Sequence, residues 1–406
     1  MRRLRRQGER VRGRRGTTFG LPAAVLVVAA AIALPPVDRA AAATACVAGP
    51  PAVTSWTIPQ TVNRRGAARR FWWPVAVDGN RILLVHQPTY QPDAPQAISM
   101  SLATAGSPHF AAIPRSTYPH FGVLQRWQMQ WPWIVGLVDK QPLPGPVDWQ
   151  LWAGNLQTGR GFVLDQSHNT KAARVRGTTR GFPTFALDGG RVIWTWISHS
   201  LKRGARVVNR LALAYLASQH RSFLPVPTSS LYSNPTMSGN RIVWERVTEY
   251  ACTSQHCPNE LIDLQSYDLG TRRLTTLSHS SLQSGSSFQP GLWGSKLVFM
   301  HGFDSASGGE VILVDLAHPR SGRHAQWWQG YSYVRLQAGD QLDLLERDGL
   351  ASWSGGLADL TATRIAPVTT RFEGLLSGGH SLVRLAGRAG PYVLVRVTRR
   401  CLSPGR

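Results

Sequence analysis

The fold is decided by one recurring stretch, which at residues 234–244 reads Asn-Pro-Thr-Met-Ser-Gly-Asn-Arg-Ile-Val-Trp. It combines a proline, a turn at Ser238-Gly239, and a run of β-branched and aromatic residues. Serine, asparagine or aspartate next to glycine is the turn chemistry expected of a tight β-hairpin. The run after the turn is typical of a buried strand, because β-branched and aromatic side chains pack well on a pleated surface. The stretch therefore predicts a β-hairpin whose second strand is buried.

The same stretch returns along the chain at intervals of roughly 40 to 60 residues, a spacing typical of four short strands per repeat. Strong copies lie at residues 73–85, 182–194, 234–244 and 289–299, and weaker copies at 131–135, 339–342 and 378–383. A second phrase, seen at 151–160, 261–275 and 311–316, reads as a third strand, a turn and an outer fourth strand. No part beyond residue 45 has a capped 3.6-residue period, so we expect little helix. The repeats predict an all-β fold, a seven-bladed β-propeller, with six or eight blades as the alternatives.

The repeat resembles the TolB-like or PD40-type β-propeller repeat, a WD40-like blade. The copy from Pro235 to Thr275 is the most similar, and the resemblance extends loosely over residues 71–400. The sequence departs from that pattern where the family has Ser-Pro, since it has Val-Asp, Leu-Asp or Met-Ser there. The resemblance implies a propeller fold and implies little about activity, because propellers carry many unrelated functions.

Closure of the ring is a physical requirement, because an open propeller exposes a strand edge. The last repeat lacks a fourth strand, and Val53–Ile58 is predicted to supply it. The four cysteines, Cys46, Cys252, Cys257 and Cys401, suggest two disulfides in an exported protein. Three pairings are open; a local Cys252–Cys257 bridge would leave Cys46–Cys401 to join the two ends of the ring. A metal site at these cysteines is the alternative, although no CxxC pair accompanies them.

Residues 1–45 have the layout of an export signal. A basic segment with eight arginines between Arg2 and Arg15 precedes an apolar run from Leu21 to Leu34 and an Ala43-Thr44-Ala45 cleavage pattern. The apolar run is shorter than the ~20 residues needed to cross a bilayer, so an uncleaved anchor is the alternative. We predict an exported protein of the cell envelope or extracellular space, with one propeller domain at 46–401 and a tail at 402–406.

The formal charge of the whole chain is +23, and residues 46–406 keep 36 Lys+Arg against 20 Asp+Glu. This excess favours contact with anionic polymers or surfaces, and a solvated positive surface without a specific partner is the alternative. No compact basic run with interleaved aromatic residues follows the signal, so a nucleic-acid partner is not expected. Membrane contact is expected only through an uncleaved N-terminal segment, and the protein is expected to be a monomer.

The sequence has no HExxH, GxSxG, P-loop, dinucleotide-binding glycine pattern or EF-hand loop. No cofactor, metal or catalytic residue is therefore predicted, and candidate residues are chosen by topology. In a propeller, the loops after each second strand gather on one face around the central channel. The candidates at the start of these loops are His86, Asp139, His199, Arg246, His301 and Glu346.

A ring of such residues would bind an anionic sugar, coordinate a metal or carry out acid–base chemistry, if the side chains converge. The alternative is that the strands simply end at polar residues on reaching solvent. A metal would need His86, His199 and His301 to meet. We interpret the chain as an envelope recognition or scaffolding module that binds an anionic polymer or a protein partner and is not an enzyme. The alternatives are an envelope lyase or hydrolase acting on polysaccharide from the same loops, and an anchored structural subunit.

Overall fold

A computed structural model gives the architecture. It describes residues 47–48, 52–57, 71–87, 95–141, 147–175, 177–201, 207–249, 260–281, 285–302, 309–318, 323–328, 331–336, 341–346, 351–356, 362–367, 376–378, 381–385, 392–398 and 401–402. Residues 1–45, Cys46, Cys252 and Cys257 lie outside the described residues, as does the side chain of Cys401. By its contacts the structure separates a compact unit, Ala48–Arg400, from the two chain ends.

The described strands form seven antiparallel sheets, numbered here in chain order, and one two-stranded sheet of Val47–Ala48 with Cys401–Leu402. Sheet 1 contains Phe71–Asp78, Arg81–Gln87, Ser99–Thr104 and Phe110–Ala112. Sheet 2 contains Phe121–Gln130, Trp133–Asp139, Trp149–Asn155 and Arg160–Gln166, with Gln96–Ala97 beside its first strand. Sheet 3 contains Thr178–Arg180 and Phe185–Asp188, which both pair with Arg191–Ser200, then Val208–Tyr215 and His220–Phe223.

The remaining sheets repeat this order of first to fourth strand. Sheet 4 contains Leu231–Ser238, Arg241–Glu249, Glu260–Asp268 and Arg273–Thr276. Sheet 5 contains Ser286–Trp293, Lys296–Gly302, Gly309–Asp315 and Arg323–Trp328. Sheet 6 contains Tyr331–Leu336, Gln341–Glu346, Ala351–Gly356 and Ala362–Pro367. Sheet 7 contains Leu376–Gly378, Ser381–Leu385, Tyr392–Thr398 and Ala52–Thr57.

The sheets follow one another in a curled series. First strands of consecutive sheets contact each other from sheet 1 to sheet 6, and the first strand of sheet 7 contacts that of sheet 1. The predicted closing strand is confirmed, since Ala52–Thr57 pairs antiparallel with Tyr392–Thr398 as the outer strand of sheet 7. The all-β propeller predicted from the repeats is thereby confirmed, while the blade number stays a prediction.

Helix is as scarce as predicted. The described residues contain one α-helix, Asn169–Arg174, and one 3₁₀ turn, Arg115–Thr117. None of the helical segments in the described part of the chain has the length and apolar character needed to cross a membrane.

The core consists of apolar layers between neighbouring sheets. Trp194 packs between sheets 2 and 3, Trp244 between sheets 3 and 4, and Phe299 between sheets 4 and 5. Each is the fourth residue of a second strand, and their exposed fractions are 2%, 0% and 5%. The aromatic residue in the repeated stretch is therefore a packing residue, as predicted.

The proline of the repeat marks a β-bulge in sheets 4 and 5. In both first strands the pairing register shifts at the residue before proline, and that residue has a positive φ, +43° at Asn234 and +56° at Gln289. The freed N–H group of Asn234 donates to Thr184 Oγ1 of sheet 3 (3.0 Å), and that of Gln289 donates to Glu245 Oε1 of sheet 4 (2.7 Å). The bulge thus joins each first strand to the sheet before it.

The hairpin turns between first and second strands form a second set of links, which we call the turn edge. In each link, the side chain of the last residue of one first strand accepts a hydrogen bond. The donor is the backbone N–H of the residue that follows the first strand of the next sheet. The links run from Trp131 N to Asp78 Oδ2 (2.9 Å), Gly189 N to Gln130 Oε1 (2.6 Å), Gly239 N to Asp188 Oδ2 (2.9 Å), and Gly294 N to Ser238 Oγ (2.8 Å). The side chain of the residue that ends each of these first strands therefore also binds the turn of the following sheet.

Candidate binding surface

The six candidate residues all lie within the last four residues of the second strands of their sheets. They therefore belong to strands, whereas the sequence analysis predicted them at the starts of loops. The second strands continue to Gln87, Ser200, Glu249 and Gly302 because each end residue stays paired with one neighbouring strand. Glu346 ends the second strand of sheet 6, and its side chain lies outside the described part of the chain.

Arg246 and His301 occupy equivalent positions and face the preceding sheet. Each comes two residues after a core aromatic, Trp244 or Phe299, that packs on the preceding sheet, and side chains two apart share a face of a strand. Arg246 Nε donates to Ser230 Oγ at 3.1 Å. His301 Nδ1 lies 3.0 Å from the Oγ of the fully buried Ser287, opposite it in the sheet.

Asp139 faces the other way. It follows Leu137 by two residues, and Leu137 packs against sheet 3, the following sheet. Its exposed fraction is 3%, and its Oδ2 accepts a hydrogen bond of 2.5 Å from Gln125 Nε2. Its Oδ1 is buried and has no hydrogen-bond partner among the described residues. Burial raises the pKa of this carboxyl, and the hydrogen bond from Gln125 partly opposes that rise.

The predicted ring is thus divided between two strand faces. His199 is exposed, and no group of three or more His, Cys, Asp or Glu side chains within the described ranges is arranged to hold a metal ion. His86, His199 and His301 accordingly do not meet as a metal site. Whether His86, Asp139, His199, Arg246, His301 and Glu346 bind a ligand stays a prediction.

A different cluster stands at the same edge of sheets 2 and 3, where their second strands end. Lys171 and Arg174 are exposed on the short helix, and Lys140 directly follows Asp139. We call Lys140, Lys171 and Arg174 the basic patch. The described residues within 140–148, 167–181 and 201–207 include four bases, Lys140, Lys171, Arg174 and Arg180, and a single acid, Asp148.

Hydrogen bonds bring these segments together. Lys140 N donates to Asp148 O (2.8 Å), and Thr170 N donates to Asp148 Oδ1 (3.0 Å), which ties the helix to sheet 2. Asn169 Nδ2 donates to Val147 O (2.9 Å) and to Arg180 O (2.8 Å). The one acid among the bases is therefore engaged in holding the helix, through Thr170.

The side chain of Lys140 is held by a hydrogen bond to the backbone of sheet 2. Its Nζ donates to Phe121 O at 3.1 Å, and burial lowers the pKa of its ammonium. Phe121, at the start of sheet 2, is exposed. The segment that follows the helix is joined to the end of the second strand of sheet 3, because Leu201 N donates to Gly177 O at 2.9 Å.

Behind the patch, Arg180 is held by an ion pair and by aromatic rings. Its Nη2 lies 2.6 Å from Asp165 Oδ2, which also accepts from Trp194 Nε1 (2.9 Å). Its guanidinium stacks 4.1 Å from the Trp196 ring centre. Arg180 is consequently a support of this surface, since its charge is already paired.

Sequence reasoning missed the basic patch. These bases come from separate segments, so they form no compact basic run in the sequence, and none of them is the first residue of a predicted loop. The helix Asn169–Arg174 was not predicted, because six residues are too few to display a periodic pattern. The signal that was available is the near absence of acids from the sequence at 140–148, 167–181 and 201–207.

No family model matches the chain, and no curated protein matches it in sequence. Solved structures match its fold at low identity. The propeller domain of the Trilobed protease from Pyrococcus furiosus is 9% identical, with a TM-score of 0.52 over 82% of this chain and 99% of that one. Oligogalacturonate lyase from Vibrio parahaemolyticus is 8% identical, with a TM-score of 0.52 over 86% of this chain and 98% of that one.

Acylaminoacyl peptidase from Pyrococcus horikoshii is 8% identical, with a TM-score of 0.53 over 81% of this chain; the match spans about half of the peptidase, 52%. At these identities the likeness concerns the fold alone, and the TolB-like resemblance of the repeats stays a prediction. The strand pairing and these neighbours together establish that the chain folds as a β-propeller.

Proposed function

We propose that this protein is an exported recognition module of the cell envelope that binds anionic polymers and surfaces through the basic patch. The observation that carries the proposal is the local charge of the described residues: Lys171 and Arg174 are exposed near Lys140, whereas the nearby acid Asp148 binds Thr170 and Asp139 is buried. Exposed bases whose neighbouring acids are not themselves exposed attract polyanions and raise the rate of encounter. A rigid propeller carrying them loses little conformational entropy on binding.

Acid–base chemistry on a polysaccharide is the second candidate function, and Asp139 is the observation that favours it. A buried carboxyl with a raised pKa and one unpartnered oxygen is a frequent feature of general acids. Lys140 adjoins it in the chain. The two functions are separated by whether a bound glycan changes mass.

The test exposes the purified chain from Cys46 to Arg406, which contains every described strand, to anionic and neutral envelope glycans at moderate salt. The double variant Lys171→Glu/Arg174→Glu should lose at least tenfold in retention of the anionic class, in line with charge reversal of two contacts. A matched control, Arg160→Glu/Arg273→Glu, makes the same charge change at exposed arginines that lie at the turn edge of sheets 2 and 4, opposite the edge that carries the patch. Equal loss in both variants, or no retention at all, would overturn the proposal.

A change in glycan mass that Asp139→Asn abolishes would instead establish the enzyme. Retention without any mass change would support the recognition module and identify its ligand class. Retention by neutral glycans alone would contradict the role given to charge.

A further inference from the structure

We infer that the partner of the basic patch is an anionic lipid surface, onto which this edge of sheets 2 and 3 docks. The inference rests on the proposed function, because it names the class of anion that the patch recognises. It goes beyond charge by including the apolar side chains around the bases.

Exposed apolar side chains surround the basic patch. Among the described residues nine large hydrophobic side chains are exposed, and four of them stand at this edge. They are Phe121, Val175, Leu201 and Val207, with exposed fractions of 51%, 68%, 46% and 42%. We call these four the apolar rim.

The hydrogen bonds of the edge place rim and patch side by side. Phe121 O accepts from Lys140 Nζ, and Val175 is the residue directly after Arg174. Leu201 bonds through its N–H to Gly177, two residues beyond Val175. Val207 directly precedes the strand Val208–Tyr215, and Leu201 directly follows the strand Arg191–Ser200 with which it pairs.

The chemistry of the rim selects among anions. A soluble polyanion gains from the bases but nothing from three of the four rim residues, since the valine and leucine side chains, unlike Phe121, give no stacking surface for sugars or bases. At a bilayer, aliphatic side chains enter the boundary between headgroups and acyl chains while Lys and Arg stay at the anionic headgroups. Bases and aliphatic residues together at one edge of a rigid domain match that boundary.

Charge and position also distinguish this edge from the other exposed apolar residues. Trp131 stands at the turn edge, stacked by Arg81 at 4.4 Å, and Leu274 lies on the outer strand of sheet 4. Neither adjoins an exposed helix carrying two bases. The edge of sheets 2 and 3 differs in gathering four exposed apolar side chains beside the bases of one short helix.

The experiment measures sedimentation of residues 46–406 with vesicles of one-third phosphatidylglycerol in phosphatidylcholine, with pure phosphatidylcholine vesicles, and with soluble dextran sulfate. Residues 1–45 are omitted because the apolar run Leu21 to Leu34 would itself bind lipid. We expect binding to anionic vesicles, at least tenfold weaker binding to neutral vesicles, and loss at high salt.

Two pairs of variants separate charge from apolar contact. Lys171→Glu/Arg174→Glu should weaken binding to anionic vesicles and to dextran sulfate by at least tenfold. Val175→Ser/Leu201→Ser should weaken vesicle binding about tenfold and leave dextran sulfate binding unchanged. Tyr215→Ser/Leu274→Ser is the matched control and should change neither.

The outcomes distinguish the two proposals. Dextran sulfate binding with vesicle binding that the rim variant leaves unchanged overturns the lipid inference and keeps the anionic-polymer function. Loss of all binding, in every arm, overturns both. Because the rim side chains are exposed, an unchanged thermal midpoint in the rim variant will verify that it is folded.

Discussion

The two edges of the sheets differ in how their polar groups are used. At the turn edge, Asp78, Gln130, Asp188 and Ser238 each accept a hydrogen bond from the following sheet. At the opposite edge of sheets 2 and 3, Lys171 and Arg174 are exposed, and apolar side chains stand beside them. The turn edge holds the ring together, and the opposite edge carries groups that the fold does not use.

A further set of hydrogen bonds strengthens the turn edge. In sheets 1 to 5, the residue that follows the third strand donates its N–H to a carbonyl of the hairpin turn in the same sheet. These bonds join Ala105 to Asn80, Leu156 to Pro132, Leu216 to Gly190, Leu269 to Asn240, and Leu316 to Ser295, at 2.7–2.9 Å. Since both turns of each sheet are tied together there, substitutions at this edge should affect stability, whereas those at the basic patch should affect binding.

The largest effect is expected in the core that lies between the two edges. Trp244→Ala should lower the free energy of unfolding by about 3–5 kcal/mol, because a fully buried indole leaves a cavity between sheets 3 and 4. Trp131→Ala is the matched control, exposed at 39% and stacked on Arg81, and should cost about 0.5–1 kcal/mol. Urea denaturation measures both, and equal losses would contradict this account of the core.

At the turn edge, Asp188→Ala should lower the free energy of unfolding by about 1–2 kcal/mol. It removes the acceptor of Gly239 N and the partner of Arg191 Nη2 (3.2 Å). Asp188→Asn should cost less, since its amide oxygen still accepts from Gly239. Glycan and vesicle binding should be unchanged in both variants. A loss of binding by Asp188→Ala without a loss of stability would contradict the separate roles of the two edges.

Asp139 is expected to make the free energy of unfolding depend on pH. Because burial raises the pKa of this carboxyl in the folded state, its ionised form is disfavoured there. The stability linked to this group is therefore fully present below its unfolded pKa of 3.8 and is lost as the pH rises through the folded value. Asp139→Asn should thus be at least as stable as the natural chain at pH 7 and lose that advantage towards pH 4.

Unfolding of both chains across this pH range measures the effect. A variant less stable at pH 7 than the natural chain would contradict a burial-dominated shift. It would indicate that the ionised carboxylate has a stabilising partner.

The smallest effect on stability is expected at the basic patch. Lys171→Glu/Arg174→Glu should change the free energy of unfolding by no more than about 0.5 kcal/mol, because both side chains are exposed. Thermal unfolding beside the binding assays measures this. A loss of several kcal/mol would mean that the bases support the fold and would remove the contrast between the edges.

The repeats predicted the architecture well because they encode local geometry. Glycine after Ser238 or Asp188 marked hairpin turns, and Gly239 indeed has φ +55°. The buried aromatic of the second strand was predicted from its β-rich surroundings, and Trp244 is fully buried. The candidate site was less predictable, since strand ends depend on pairing partners: Arg246 proved to be inside its strand and bonded to Ser230.

The sequence by itself determined the hairpins, the repeat and the strand that closes the series, because turn chemistry and side-chain alternation act between residues near each other in the chain. Only the tertiary structure decided which strand face Asp139 and His301 occupy, and which distant segments share an edge. Lys140 and the helix that carries Arg174 share this edge because Lys140 N and Thr170 N both donate to Asp148. Asn169 donates to Val147 as well, and these bonds join segments that no local pattern relates.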